Sequence, residues 1–163
     1  MEKSYICCFT GHREISKAHM RRLPAALDEL LLDLYEQGVR TFRAGGALGF
    51  DTVAALSVLR LKSRYDDVRL ELYLPCHDQA AKWGLYSRLL YEKILKKSDY
   101  IKYASENYTR SCMFDRNRML VDGSHLCIAY YDGDGGGTAY TFSYAQRKRI
   151  KIINLYDALA NDK

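Results

Sequence analysis

The chain reads as an α/β domain built on a mainly parallel sheet. Short apolar runs bounded by glycine or proline alternate with longer stretches whose apolar residues recur at helical spacing. That alternation, sustained from residue 3 to residue 155, is the pattern of strands returned through helices. Two strand-to-helix junctions are also glycine-rich, at residues 44–51 and 132–138. The 163 residues suffice for a single domain, taken as residues 1–163, with a sizeable core.

Composition narrows the function classes. A hydrophobic content of 48% beside 28% charged residues is that of a globular protein, and no apolar run approaches membrane-spanning length. Residues 1–5 lead directly into a strand-like segment, which is not the pattern of a secretory leader. Five cysteines without Cys-x-x-Cys spacing point to a reducing compartment and away from a disulfide or zinc framework, so a cytoplasmic location is expected. The net charge of +5 suits a phosphate-bearing small ligand as well as nucleic acid.

The first strand is expected at residues 3–10 and ends in Thr10-Gly11-His12-Arg13. In open α/β sheets ligands bind outside the carboxyl ends of strands, so this turn offers His12 and Arg13 to an anion. Residues 16–37 carry Met20, Leu23, Leu27, Leu30, Leu31 and Leu34 at helical spacing, with Gly38 as C-cap. Pro24 implies either a start near Leu23 or a bend. A strand at residues 39–43 leads to the first glycine loop, which holds Gly45, Gly46 and Gly49, and to a helix over residues 51–64. Asp51 suits an N-cap, or else a ribose hydroxyl contact, the cap being the commoner role. The spacing matches neither Gly-x-Gly-x-x-Gly nor a P-loop, which disfavours a standard NAD fingerprint and a Walker NTPase.

The third strand, residues 68–74, stops at Pro75. One helical turn beyond it would put Gln79 and Trp83 on one face, where a base or ribose could lie. Cys76, His77 and Asp78 are adjacent rather than convergent, so no metal is expected. A helix over 86–97, a strand over 99–103 and a polar loop over 104–110 precede a helix over 112–122. That helix carries Arg116 and Asn117, placed to reach a glycine loop, on an otherwise charged face. The apolar strand 125–130 then opens into Asp132, Gly133, Gly135, Gly136, Gly137 and Thr138. Strand, glycine loop and helix N-terminus together aim backbone N–H groups at an anion, and glycines let the backbone approach it closely. Thr138 adds a hydroxyl as N-cap or phosphate contact. A helix over 139–149 with Arg147, Lys148 and Arg149 at its negative end, a strand over 151–155 and a tail over 157–163 complete the chain.

Taken in order, these motifs resemble the YpsA-like branch of the SLOG superfamily, which groups the Smf/DprA DNA-processing proteins with the LOG phosphoribohydrolases. The resemblance covers residues 5–155 and implies a Rossmann-like three-layer sandwich holding a nucleotide or ADP-ribose-like ligand against both glycine loops, with no resident cofactor. Pairing into a homodimer is compatible with it. Met113-x-x-Arg116-Asn117 matches the Met-x-x-Arg-Lys segment of the LOG enzymes except for Asn117, and Gly135-x-Gly137-Thr138 matches part of their glycine loop. The position of their glutamate is Thr141, which cannot carry that charge. A nucleotide-binding or sensing protein is therefore the leading expectation. An N-glycosidase using His12, Asp51 or Asp132 comes second, and a DNA-binding protein third, because the basic residues are dispersed.

Overall fold

The computed structural model describes residues 4–161. Lys3, expected in the first strand, and the end of the expected tail lie outside them. The elements are β1 (Tyr5–Gly11), α1 (Lys17–Glu36), β2 (Val39–Ala44), α2 (Phe50–Arg64), β3 (Arg69–Leu74) and α3 (Leu85–Lys97). They continue with β4 (Tyr100–Tyr103), α4 (Cys112–Val121), β5 (Leu126–Tyr130), α5 (Gly137–Arg147), β6 (Lys151–Asn154) and α6 (Leu155–Asn161). The six strands form one sheet in the order β4-β3-β2-β1-β5-β6, and every adjacent pair is parallel.

Strand alternation decides the layers. Phe9, Leu70, Leu72, Leu74, Leu126 and Ile128 face a large core shared with α1, α2, α3 and α6. Cys8, Tyr73 and Cys127 face the opposite side, where Leu120, Val121 and Ala145 of α4 and α5 close a smaller core. The result is the expected three-layer sandwich. The chain moves outward from β1 to β4, then returns to the other side of β1 for β5 and β6. The carboxyl ends of β1 and β5 therefore diverge into a crevice, the usual ligand position in such sheets.

Several local expectations need correction. Helix α1 starts at Lys17, not near Leu23, because Ser16 caps it: its Oγ accepts the His19 amide at 3.1 Å. Pro24 sits inside the helix, and the carbonyl deprived of a donor belongs to Met20, on the exposed side. The expected last strand ends one residue early, and Leu155 with the described part of the expected tail forms α6, since Leu155 and Leu159 bury themselves against the main core. The segment carrying Gln79 and Trp83 is a run of turns, with Ala81 N–H bonded to the Asp78 carbonyl and Trp83 N–H to that of Ala80. Helix α5 spans Gly137–Arg147, so the basic run straddles its end. Lys148 is the C-cap, and Arg149 takes the left-handed conformation at φ 58°. The Ile150 and Arg149 amides bond the Ala145 and Gln146 carbonyls, the paired closure common at helix C-termini.

Candidate functional site

The carboxyl end of β1 is shaped by its glycine. Gly11 lies so close to Phe50 that an added Cβ would stand 2.4 Å from the ring, so β1 and the start of α2 touch directly. His12 N–H then bonds the Tyr130 carbonyl at 3.1 Å, and the His12 carbonyl accepts the Phe50 amide. His12 and Arg13 are thereby held at the mouth of the crevice between β1 and β5.

The first glycine loop is consumed by internal packing. A Cβ on Gly49, at φ 78°, would lie 2.0 Å from the Arg13 carbonyl oxygen. On Gly46 it would lie 2.4 Å from Leu74, and on Gly45 2.8 Å from both Arg116 Nη1 and Asp51 Oδ2. These three glycines are placed under the crevice and not along its wall. Asp51 is not the N-cap of α2. Gly49 holds that position, and Asp51, already helical, turns its buried carboxylate back to accept the Ala47 amide at 3.2 Å. Burial pushes the Asp51 carboxyl up to about 6, against the opposing pull of Arg116 and of the Ala47 amide.

Arg116, 4% exposed, donates to the Gly45 carbonyl and, at 2.8 Å through Nε, to Asn117 Oδ1. Burial lowers its affinity for the proton, while Asp51 works in the other direction. Its reach is thus to the first glycine loop. Asn117 lies beside the second, its Nδ2 standing 3.9 Å from where a Gly137 Cβ would be.

The second loop is built differently. Side chains added at Gly133, Gly135 or Gly136 would meet nothing within 4 Å. Gly133 and Gly136 need positive φ, at 96° and 106°, whereas Gly135 does not. Gly136 is the N-cap of α5 and no side chain caps the helix, which leaves its first-turn amides for water or a ligand. Thr138 is therefore inside the helix and not its N-cap. Thr141, buried, returns its hydroxyl to the Gly137 carbonyl at 3.0 Å.

A cavity of about 450 Å³ opens above this floor. Gly11, His12, Arg13, Asp51, Arg116 and Asn117 line it, facing Gly135, Gly136, Gly137 and Thr138. Tyr108, Arg110 and Phe114 also line it, and none of the three was among the expected contacts. An aromatic residue and an arginine two apart, in the otherwise polar loop after β4, were the available signal. Gln79 and Trp83 lie outside the lining: the Gln79 amide donates to Tyr91 at 3.1 Å and to the Gly46 carbonyl at 3.4 Å, and Trp83 packs edge-on to Tyr91. Asp132 is also outside it. Its carboxylate pairs with His12 Nε2 at 2.8 Å, and the Asp134 amide, then His12, hold it below the usual range. This pair faces a second, more open hollow on the α1 side.

Fold and site together define a Rossmann-like α/β protein with a polar crevice at the strand-order reversal. The YpsA family model, described as the YspA SLOG family, matches residues 7–158, and the chain belongs to that family. Its relatives include a UPF0398 protein of Halalkalibacterium halodurans, 29% identical over 81% of this chain and 75% of that one. Another is the SPbeta prophage-derived protein YoqJ of Bacillus subtilis, 26% identical over 77% of this chain and 79% of its own. Among solved structures it is similar to DNA processing protein A (DprA) of Streptococcus pneumoniae, with a TM-score of 0.67 at 16% identity over 96% of this chain. DprA of Helicobacter pylori, in a structure describing its single-stranded DNA binding mode, gives 0.65 at 18% over 91%. The chain spans 53% and 63% of those two proteins, and at such identities the likeness establishes the shared fold. Among the described residues no helix is long and apolar enough to cross a membrane.

Proposed function

We propose that this protein binds a phosphate-bearing, nucleotide-type small molecule in the crevice between β1 and β5. Its phosphate rests on the amides that open α5, with Arg13 and Arg110 as counter-charges. The observation that carries this reading is Gly135. Neither a positive φ nor a neighbouring atom requires glycine there, in contrast to Gly49, which the chain's own packing demands. A glycine left bare in a cavity wall beside an uncapped helix N-terminus is suited to close approach by a ligand. The exposed rings of Tyr108 and Phe114 at the rim supply faces for a base.

Asp51 supports hydrolysis as the second reading. It lines the cavity, and a carboxyl near 6 is suited to proton transfer at neutral pH, although no carboxylate stands at Thr141. Titration of the full chain with AMP, ADP and inorganic phosphate, followed by chromatography of the ligand, tests both. At a hundred times its Kd a ligand adds about 2.7 kcal/mol of stability. Binding that disappears in Gly135→Val and Arg110→Ala, with the ligand recovered intact, is the expected result. Release of free base makes the protein a hydrolase. Absence of binding by any nucleotide, with retention of single-stranded oligonucleotides instead, refutes the small-molecule reading in favour of stacking on Tyr108 and Phe114.

A further inference from the structure

Away from the crevice, α3 and the edge strand β4 expose apolar and basic side chains together. Of the nine large apolar residues that stay exposed among those described, five are here: Leu85, Tyr86, Leu89, Tyr100 and Ile101. Leu85 and Tyr86, 65% and 80% exposed, open the first turn of α3, and Leu89 lies one turn beyond Leu85 on the same face. Single exposed apolar side chains are ordinary, whereas a cluster at one end of a helix marks a contact surface. Residues 82–102 also hold Lys82, Arg88, Lys93, Lys96, Lys97 and Lys102 against Glu92 and Asp99, a net of +4 out of the chain's +5. All six cations are exposed, and among the described residues none of them pairs with a carboxylate. Asp99 is already held by Lys62 at 2.6 Å.

The order of residues along α3 identifies the occupant. Lys93 and Lys96 follow Leu89 by four and seven residues, so the stripe that begins apolar continues cationic, about 6 and 10 Å further along the axis. We infer that α3 docks, its first turn leading, on a membrane surface rich in acidic phospholipids. Leu85, Tyr86 and Leu89 enter the boundary between headgroups and acyl chains. Arg88, Lys93 and Lys96 meet the lipid phosphates, their stems lying along the apolar layer. Charge and shape decide against other occupants. A second copy would set the same excess of positive charge against itself, and leucine offers a nucleic acid no ring to stack on. An acidic protein would need a hollow fitted to three protruding side chains, whereas a bilayer takes up any apolar tip. Strands β3 and β2 separate β4 from β1, so the crevice stays open and the inference does not depend on the nucleotide reading.

Trp83, the only tryptophan, precedes Leu85 by two residues and reports the insertion. The full chain is mixed with vesicles of phosphatidylcholine alone and of phosphatidylcholine with an equal part of phosphatidylglycerol. Sedimentation measures retention, and brominated acyl chains test whether Trp83 emission is quenched. Three cations at about fivefold each predict retention about a hundredfold stronger on the anionic vesicles, with Trp83 quenched. Lys93→Gln/Lys96→Gln should lose about twenty-five-fold of that advantage, and added salt should weaken it too. Leu85→Ser/Leu89→Ser should abolish the quenching. Circular dichroism and melting confirm that both variants are folded. Retention by neither vesicle, or equal retention by both, overturns the inference. Retention without quenching, or unchanged in both variants, overturns it as well, because another face then carries the contact. A dimer in sedimentation equilibrium that Leu85→Ser/Leu89→Ser dissolves, with no retention by vesicles, gives this face to a second copy and refutes the lipid surface.

Discussion

Replacement of Gly49 by alanine separates the two glycine loops by what each contributes. At φ 78° and ψ −124° the backbone of Gly49 is in a region that a side chain resists, at a cost of about 1–3 kcal/mol. The added Cβ would also stand 2.0 Å from the Arg13 carbonyl oxygen and 2.4 Å from its carbon, and these are backbone atoms that no rotamer can withdraw. Overpacking of that kind costs about another 1–3 kcal/mol. Gly49→Ala should therefore destabilise the protein by roughly 2–6 kcal/mol, on the order of 10 °C in Tm for a chain of this size. Gly135→Ala, with no atom within 4 Å of its Cβ and no positive φ, should unfold at the wild-type midpoint. Urea denaturation followed by circular dichroism measures both. Equal midpoints for the two variants would refute the division into a packing loop and an open loop.

Other outcomes follow from single residues. Asp51 titrates near 6 when folded and at its ordinary 3.8 when unfolded, so the native state holds its proton more tightly. Its contribution to stability is fully present below about 3.8 and is lost as pH rises through about 6. The stability of Asp51→Asn relative to wild type should accordingly rise between pH 4 and pH 7, as read from urea midpoints at several pH values. Ser16→Ala removes the acceptor of the His19 amide and should cost about 1 kcal/mol, detectable as a lowered Tm with unchanged helicity. Arg149→Gly relieves a side chain at φ 58° and should stabilise the fold by up to about 1 kcal/mol; a lower Tm would show that Arg149 makes a compensating contact.

The layers were legible because their signals are local. Of the six apolar residues at helical spacing in α1, Leu23, Leu27, Leu31 and Leu34 are buried, Leu30 is half-buried and Met20 stays exposed, and the runs at 39–43 and 125–130 mark strands within a residue or so of β2 and β5. Errors arose where a distant partner outweighs a neighbour. Asp51 has the identity of a cap, yet its environment is set by Arg116 from α4 and by the Ala47 amide. Gln79 and Trp83 suggested a ligand face, but Tyr91 of α3 claims both. The tail became α6 because the main core had room for Leu155 and Leu159.

By itself the sequence determined an α/β sandwich with glycine loops at the carboxyl ends of two strands, since periodicity and glycine content act within a few residues. Tertiary structure alone decided which loop's glycines line the crevice. Gly49 and Gly135 are the same residue in the same kind of junction, and they differ in backbone conformation, positive φ at Gly49 alone, and in whether another part of the chain, the Arg13 backbone, already fills the space a side chain would take.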